Sequence, residues 1–329
     1  TAAYPADCPK RAFELPIPFI FPILKMALCL RGWTILMSWM SSGAPRNLDS
    51  MIPHIFGILN MTTDSFSDGG LFVDAKAAEQ QALAMTEDGA ATIDVGAVSS
   101  NPDGVDVPVE GELDRLSRVV PVLLERGLSV SIDSFRTPVQ RHFLHSGIRY
   151  LNDISGFADS SFYPEIADSN VLLVIMHSVQ RGRARIEEVD PSSIPARLVQ
   201  FFDERLNALE KAGIARSRMI IDPGMGHFLG KNPDCSIEAI RFLPELKARY
   251  GVAVLAGVSR KSFLGSITGR AVNERQAATL SAELACIRQG ADYIRTHEPA
   301  PLMDACRIME RIDSVNRPAD GQADRTKRV

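Results

Sequence analysis

Eight short apolar runs recur along the chain, and nearly every one gives way at its C-terminal end to a polar or charged residue. Ile55–Leu59 leads to Asn60, Thr92-Ile93 to Asp94, Val130–Ile132 to Asp133, and Tyr150-Leu151 to Asn152-Asp153. Leu172–Met176 leads to His177, Met219–Ile221 to Asp222, Val252–Val258 to Ser259-Arg260-Lys261, and Tyr293-Ile294 to Arg295 and His297. Amphipathic stretches separate the runs, which is the pattern of βαβ units and a parallel sheet. Parallel neighbours require a crossover, so every strand ends on the same side. Eight such units close best as a (β/α)8 TIM barrel, whose strand C-termini ring one mouth. Residues far apart in sequence then converge on one pocket.

The spacing predicts helices over Ala75–Asp88, Glu110–Arg126, Thr137–Ser146, Ser161–Asp168, Pro191–Gly213, Pro233–Tyr250, Asn273–Gln289 and Pro301–Ile312. Several end at a glycine suited to a C-cap, among them Gly89, Gly213 and Gly251, and some begin at proline. Two of the connections that follow strands, Met61–Asp74 and Ala97–Val109, are long and rich in Ser, Asp, Gly or Pro. Loops of that length beside a mouth are expected to act on the ligand rather than merely connect.

At 329 residues and 45% hydrophobic, the chain can bury a full α/β core. A net charge of −4 gives no general attraction to nucleic acid or to an anionic membrane. The five cysteines form no CxxC pair, which points to packing roles and a reduced, cytoplasmic setting. Residues 1–50 stand apart. Pro16–Met40 is strongly apolar, yet Pro16, Pro18, Pro22, Lys25 and Arg31 break it, and a signal peptide behind Lys10-Arg11 is the competing reading. The preferred expectation is an N-terminal extension outside the catalytic domain of 51–315, with a chain beginning at Met51 still folding and acting. Residues 316–329 read as a flexible charged tail.

Each polar residue taken singly has a plain structural role: Asp94 or Asp153 as a helix cap, Asp222 as the start of a turn, His177 as a hydrogen-bonded core histidine. Their predicted meeting at one rim changes the balance. Asn60, Arg295 and His297, on the first and last strands, form a donor set suited to phosphate, which Arg260-Lys261 extends. Asp133, Asn152 and Asp222 present acceptors for the N–H groups of a flat heterocycle. There is no GxSxG, no HExxH and no reactive Cys–His pair. Such a pocket orients its ligand and stabilises charge, without a covalent intermediate.

At these positions the chain resembles dihydropteroate synthase, from about Ile55 to Glu298. The carrying segments are Gly57–Gly70, Asp94-Val95-Gly96 with Ser99–Pro102, Ser131–Ser134, Asn152–Ile154, Asp222-Pro223-Gly224, Ser259–Phe263 and Arg295-Thr296-His297, all in the family's order. The resemblance implies condensation of 6-hydroxymethyl-7,8-dihydropterin pyrophosphate with 4-aminobenzoate, in folate synthesis. It assigns Asp133, Asn152, Asp222 and Lys261 to the pterin, with Asp133, Asp222 and Lys261 in catalysis. Asn60, Arg295 and His297 go to the pyrophosphate, with Mg²⁺ at Asn60, and the family's habit implies a homodimer.

Two departures stand out. Ser100-Asn101 replaces the family's usual Thr-Arg, and Gly224–Lys231 runs longer than the usual form, bringing His227 and Phe228 toward the aminobenzoate side with Ser262. Both are similar to the sulfonamide-insensitive members carried on mobile elements, and weak sulfonamide inhibition is expected. The competing readings are a corrinoid-linked methyltetrahydrofolate methyltransferase and a non-catalytic pterin-binding protein.

Overall fold

The computed structural model describes residues 52–61, 71–98, 107–179 and 187–315, the side chains of residues 71–74 and 315 excepted. The expected N-terminal extension, charged tail, Ser100 and Asn101 lie outside the described residues.

Eight parallel strands close in chain order into a barrel: β1 (His54–Asn60), β2 (Thr92–Gly96), β3 (Val130–Asp133), β4 (Tyr150–Asp153), β5 (Leu172–Met176), β6 (Met219–Asp222), β7 (Ala253–Ala256) and β8 (Tyr293–Thr296). Strand β8 pairs back onto β1, with Phe56 opposite Arg295. The (β/α)8 expectation is met. The surrounding helices are α1 (Leu71–Glu87), α2 (Val109–Glu125), α3 (Thr137–Phe143), α4 (Tyr163–Ala167), α5 (Ile194–Lys211), α6 (Pro233–Tyr250), α7 (Ser262–Thr268), α8 (Gln276–Arg288) and α9 (Pro299–Val315). Among the described residues no helix is long and apolar enough to cross a membrane.

The period of two along each strand divides the core. Outward residues such as Ile55, Leu59, Ile93, Val95, Ile132, Leu151, Ile175, Ile221 and Val254 pack against the helices in the main hydrophobic cluster. Inward residues Phe56, Tyr150, Val174, Ile220 and Leu255 form a separate cluster that fills the barrel. Phe56 is fully buried, with its ring edge-on to Tyr150 at 4.8 Å between centroids. Burying each large member of this plug stabilises the fold by about 1.5–3 kcal/mol. The plug also closes the barrel from below, so the mouth has a floor.

Helix ends explain where sequence and structure agree. Helix α6 has the predicted bounds because its local signals coincide: the Asn232 side chain accepts from Asp234 N–H, Pro233 opens the first turn, and Gly251 closes it at φ 62°. The predicted Ser161–Asp168 helix divides into a 3₁₀ turn, Ser160–Phe162, and the short α4, since Asp159 caps the earlier residues through Ser161 N–H. Likewise Pro191–Ser193 and Val272–Glu274 are 3₁₀ turns preceding α5 and α8. Helix α7 was not predicted. It has seven residues, Gly265 sits in its middle, and its apolar pattern is too short to register.

Candidate active site

The inward positions of the plug continue, two residues at a time, into a charged layer at the C-terminal mouth. Tyr150 leads to Asn152, Ile220 to Asp222, Leu255 to Gly257, and Tyr293 to Arg295 and His297; on β2 and β3 the same parity gives Asp94 and Asp133. One strand alternation therefore supplies both the floor and the polar groups above it.

Arg295 is the hub. Its Nε donates to Asp94 Oδ2 at 2.5 Å and its Nη2 donates to Asp133 Oδ2, while Asn152 Nδ2 donates to the same Asp94 oxygen at 3.2 Å. Four strands, β2, β3, β4 and β8, are thus cross-linked by one chain of hydrogen bonds. Asp94 is completely buried, and its second oxygen, Oδ1, has no partner among the described residues. A buried acceptor left open in this way is costly unless something else supplies a donor. Across the cavity Asp222 accepts from Gly224 N–H at 2.8 Å, and it interacts electrostatically with Lys261, Arg295 and Asp94. Gly257 packs directly beside Asp222 and Arg295, and Gly96 beside Asp133, where an added Cβ would come within 3.4–3.9 Å of those side chains.

Burial dominates the electrostatics. It pushes the Asp133 carboxyl up to about 7, against the pull of Arg295, and the Asp222 carboxyl up to about 6, against its Gly224 hydrogen bond and Lys261. Burial, and after it the Arg295 cation, lower the Lys261 amine to about 8 against the pull of Asp222 and Asp133. For Arg295 burial acts to lower the value, but Asp94 and Asp133 outweigh it and hold the guanidinium protonated. Opposite charges forced together without water are characteristic of functional sites.

His297 is lowered to about 3 by burial, then by Arg260, Arg295 and Lys261, and is neutral. Ser259 Oγ accepts the His297 backbone N–H at 3.2 Å and lies 2.9 Å from Nδ1. With the hydroxyl proton donated to Nδ1, Nε2 is the protonated nitrogen and donates; with the proton on Nδ1, the same Ser259 oxygen accepts it and Nε2 accepts. His177 behaves as a core histidine: buried, Nδ1 3.2 Å from Pro223 O, and lowered to about 4 mainly by burial. Asp153 is structural, its carboxylate taken up by Gln140 Nε2, Ser155 N–H and Phe157 N–H.

The loop after β6 forms a second wall. Gly224, at φ 72°, lets the chain pass so close to β5 that a Cβ would stand 2.3 Å from His177 O. The Phe228 ring is buried against Ile154 and Met176, its carbonyl accepts from Val179 N–H at 2.9 Å, and Lys261 Nζ lies 5.0 Å from its centroid. His227 and Ser262 are half-buried nearby, and Ser262 Oγ lies close to Gly226. Asn60 ends β1 in an exposed position.

Residues 56–297 match the family described as pterin binding enzyme. The chain is 47% identical to dihydropteroate synthase type-3 of Escherichia coli, over 78% of this chain and 98% of the relative. It is 46% identical to the type-2 enzyme of Escherichia coli, over 80% and 97%. Among solved structures, dihydropteroate synthase of Xanthomonas albilineans with 4-aminobenzoic acid is similar at a TM-score of 0.73 and 35% identity, covering 81% of this chain and 94% of that one. The same enzyme in complex with 7,8-dihydropteroate gives 0.71 at 33% identity, over 82% and 96%.

This chain belongs to the dihydropteroate synthase family.

In this dihydropteroate synthase the structure gathers Asp133, Asn152, Asp222, Lys261 and Arg295 into one electrostatically connected group. Arg295 differs from the sequence expectation in its partners. It was grouped with Asn60 and His297 as a phosphate donor, but two of its nitrogens are engaged by Asp94 and Asp133. Asp94, a helix-cap candidate on the sequence and part of the resembling Asp94-Val95-Gly96 segment with no assigned ligand, is the most buried carboxylate of the group. The available signal was parity: Asp94 lies between Thr92 and Gly96 on one face of β2, opposite Ile58 and Ser131.

Proposed function

We propose that the chain joins 6-hydroxymethyl-7,8-dihydropterin pyrophosphate to 4-aminobenzoate, giving 7,8-dihydropteroate and pyrophosphate. The observation that carries this reading is the buried layer in which Asp94, Asp133 and Asp222 face Lys261 and Arg295 above an apolar floor. A pterin has N–H and amino donors along one edge. Asp133, Asn152 and Asp222 supply acceptors for them, Lys261 donates to the ring, and the open Oδ1 of Asp94 adds a further acceptor.

As the bond between the pterin methylene and the diphosphate oxygen lengthens, positive charge spreads into the ring and negative charge onto the leaving group. Asp133 and Asp222 have the sign that stabilises the first, and Arg295 and the neutral His297, in its Nε2-protonated form, the second. The arylamine nitrogen then bonds to the methylene carbon and releases its proton after attack, so no strong base is required. Asn60, exposed at the end of β1, fits a Mg²⁺ that takes most of its ligands from diphosphate and water. The ion would neutralise leaving-group charge there.

Weak sulfonamide inhibition belongs to the same proposal. Phe228 is fixed by Ile154, Met176 and the Val179 N–H, so it cannot readily yield to a group bulkier than the aminobenzoate carboxylate. A homodimer and a cytoplasmic location are part of the reading; the buried free thiols Cys235, Cys286 and Cys306 suit a reducing compartment.

The test is complementation of a cell lacking its own synthase, with and without sulfonamide, alongside assay of pyrophosphate release by the purified protein. Growth with release supports the synthase; pterin binding without release refutes it. Phe228→Leu is expected to lower the inhibitory sulfonamide concentration while changing the aminobenzoate KM less.

A further inference from the structure

The turn that delivers Lys261 to the pocket is held from behind by α8. Arg260, just before Lys261, has φ 58°, in the left-handed region that a residue with a Cβ rarely occupies. A backbone in that state persists only where its surroundings determine it. Here the surroundings are specific. The Arg260 N–H donates to Thr279 Oγ1 at 3.1 Å, and Thr279 is buried. One turn earlier, Arg275 Nη1 donates to Arg260 O at 3.0 Å and to Lys261 O at 3.3 Å, while its Nε donates to Arg270 O at 3.1 Å. Thr279 N–H in turn bonds Arg275 O at 2.7 Å, so both side chains rise from one helical turn.

The Arg275 guanidinium packs against α7 at Gly265, where an added Cβ would stand 2.1 Å from Nη2 and 2.5 Å from Cζ. It therefore ties the two carbonyls at the start of α7 to the one just beyond its end. The left-handed turn separates two successive cations. The Arg260 side chain goes to Glu298 at 3.5 Å, and the Lys261 amine goes over Phe228.

We propose that Arg275 and Thr279, with Gly265 as the surface that admits the guanidinium, are positioning residues that set Lys261 for the pterin substrate. Neither touches the cavity layer; both act through the backbone of residues 260 and 261. The inference rests on the assignment of Lys261 to the pterin. Its signature is selective. Loosening the turn weakens binding of the pterin pyrophosphate more than it raises the aminobenzoate KM, which Lys261 reaches only through Phe228 and the neighbouring Ser262, whereas general damage to the fold would affect both equally.

The experiment compares Thr279→Val, Thr279→Ser, Arg275→Lys and Gly265→Ala with Lys261→Met. It measures calorimetric Kd for pterin pyrophosphate, KM for each substrate, and melting temperature. Thr279→Val is expected to raise the pterin Kd by about tenfold, as for loss of one well-placed hydrogen bond, with Thr279→Ser restoring it. Gly265→Ala and Arg275→Lys are expected to give the same selective effect, and together no more than either alone, because both release one guanidinium. An unchanged pterin Kd in Thr279→Val and Arg275→Lys, while Lys261→Met weakens it, overturns the clamp and leaves the site intact. An unchanged Kd in Lys261→Met overturns the pterin assignment itself. Equal losses for both substrates, tracking melting temperature, overturn the positioning role in favour of a structural one.

Discussion

Replacing Asp222 by asparagine is expected to stabilise the ligand-free protein while removing pterin binding. Burial lifts the Asp222 carboxyl from an ordinary 3.8 to about 6 in the folded protein, because the ionised form has lost its water. Well below pH 3.8 the group is protonated whether folded or unfolded and costs nothing. As pH rises through 4 to 6 the unfolded chain ionises first, and folding must then hold a proton or bury a charge. Above pH 7 the full difference applies, and the gap between 3.8 and about 6 converts to about 3 kcal/mol of lost stability. Asparagine mimics the protonated acid, and its Oδ1 still accepts the Gly224 N–H. Loss of the carboxylate's support lowers Lys261 further, which makes 3 kcal/mol an upper figure. At 2–4 °C for each kcal/mol, the melting temperature of Asp222→Asn should exceed that of the parent by roughly 6–12 °C at pH 8 and approach it as the pH falls toward 4. Thermal unfolding of both proteins without ligand, between pH 4 and 8, reads this directly. A variant that is less stable at pH 8, or a difference that ignores pH, refutes the claim that the charged layer is held against its own desolvation.

Other outcomes follow from the same layer and its floor. The kcat/KM for pterin pyrophosphate should rise as Asp222 and Asp133 ionise, at about 6 and about 7, and fall as Lys261 loses its proton at about 8. Lys261→Arg should remove the alkaline fall, and a profile unchanged by that substitution would exclude Lys261 as its source. Asp94→Asn should weaken pterin binding by about tenfold to a hundredfold, through loss of charge-assisted hydrogen bonding to Arg295 and Asn152; calorimetric Kd measures it. Phe56→Ala, inside the plug, should cost about 3–5 kcal/mol in urea unfolding with both KM values unmoved. A shift in either KM would mean that the floor helps to shape the pocket.

The barrel was legible because short apolar runs and glycine-ended helices are local signals, and each points to the same closure. Asp133, Asn152, Asp222, Lys261 and Arg295 were legible because each lies at or near the end of such a run. What escaped were relationships set by the third dimension. On the sequence Asp94 ends the short Thr92-Ile93 run and reads as a cap for the following segment; the structure extends the strand to Gly96, and only closure of the barrel brings Arg295 onto the aspartate. The same closure turned Arg295 from a free phosphate donor into the centre of an ion-pair chain.

Arg275 and Thr279 show the limit most clearly. On the sequence they are an arginine and a threonine inside one expected helix, Asn273–Gln289, with nothing to distinguish them from solvated or core positions. Their role comes from a left-handed residue 260 that no propensity announces, and from a glycine in a helix too short to be recognised. Glycine at 265 weakens α7 as a helix, yet that missing side chain is what admits the guanidinium. Local stability was given up where a distant cation needed to approach the backbone. The segment that reads worst as secondary structure is therefore the one that sets the direction of Lys261.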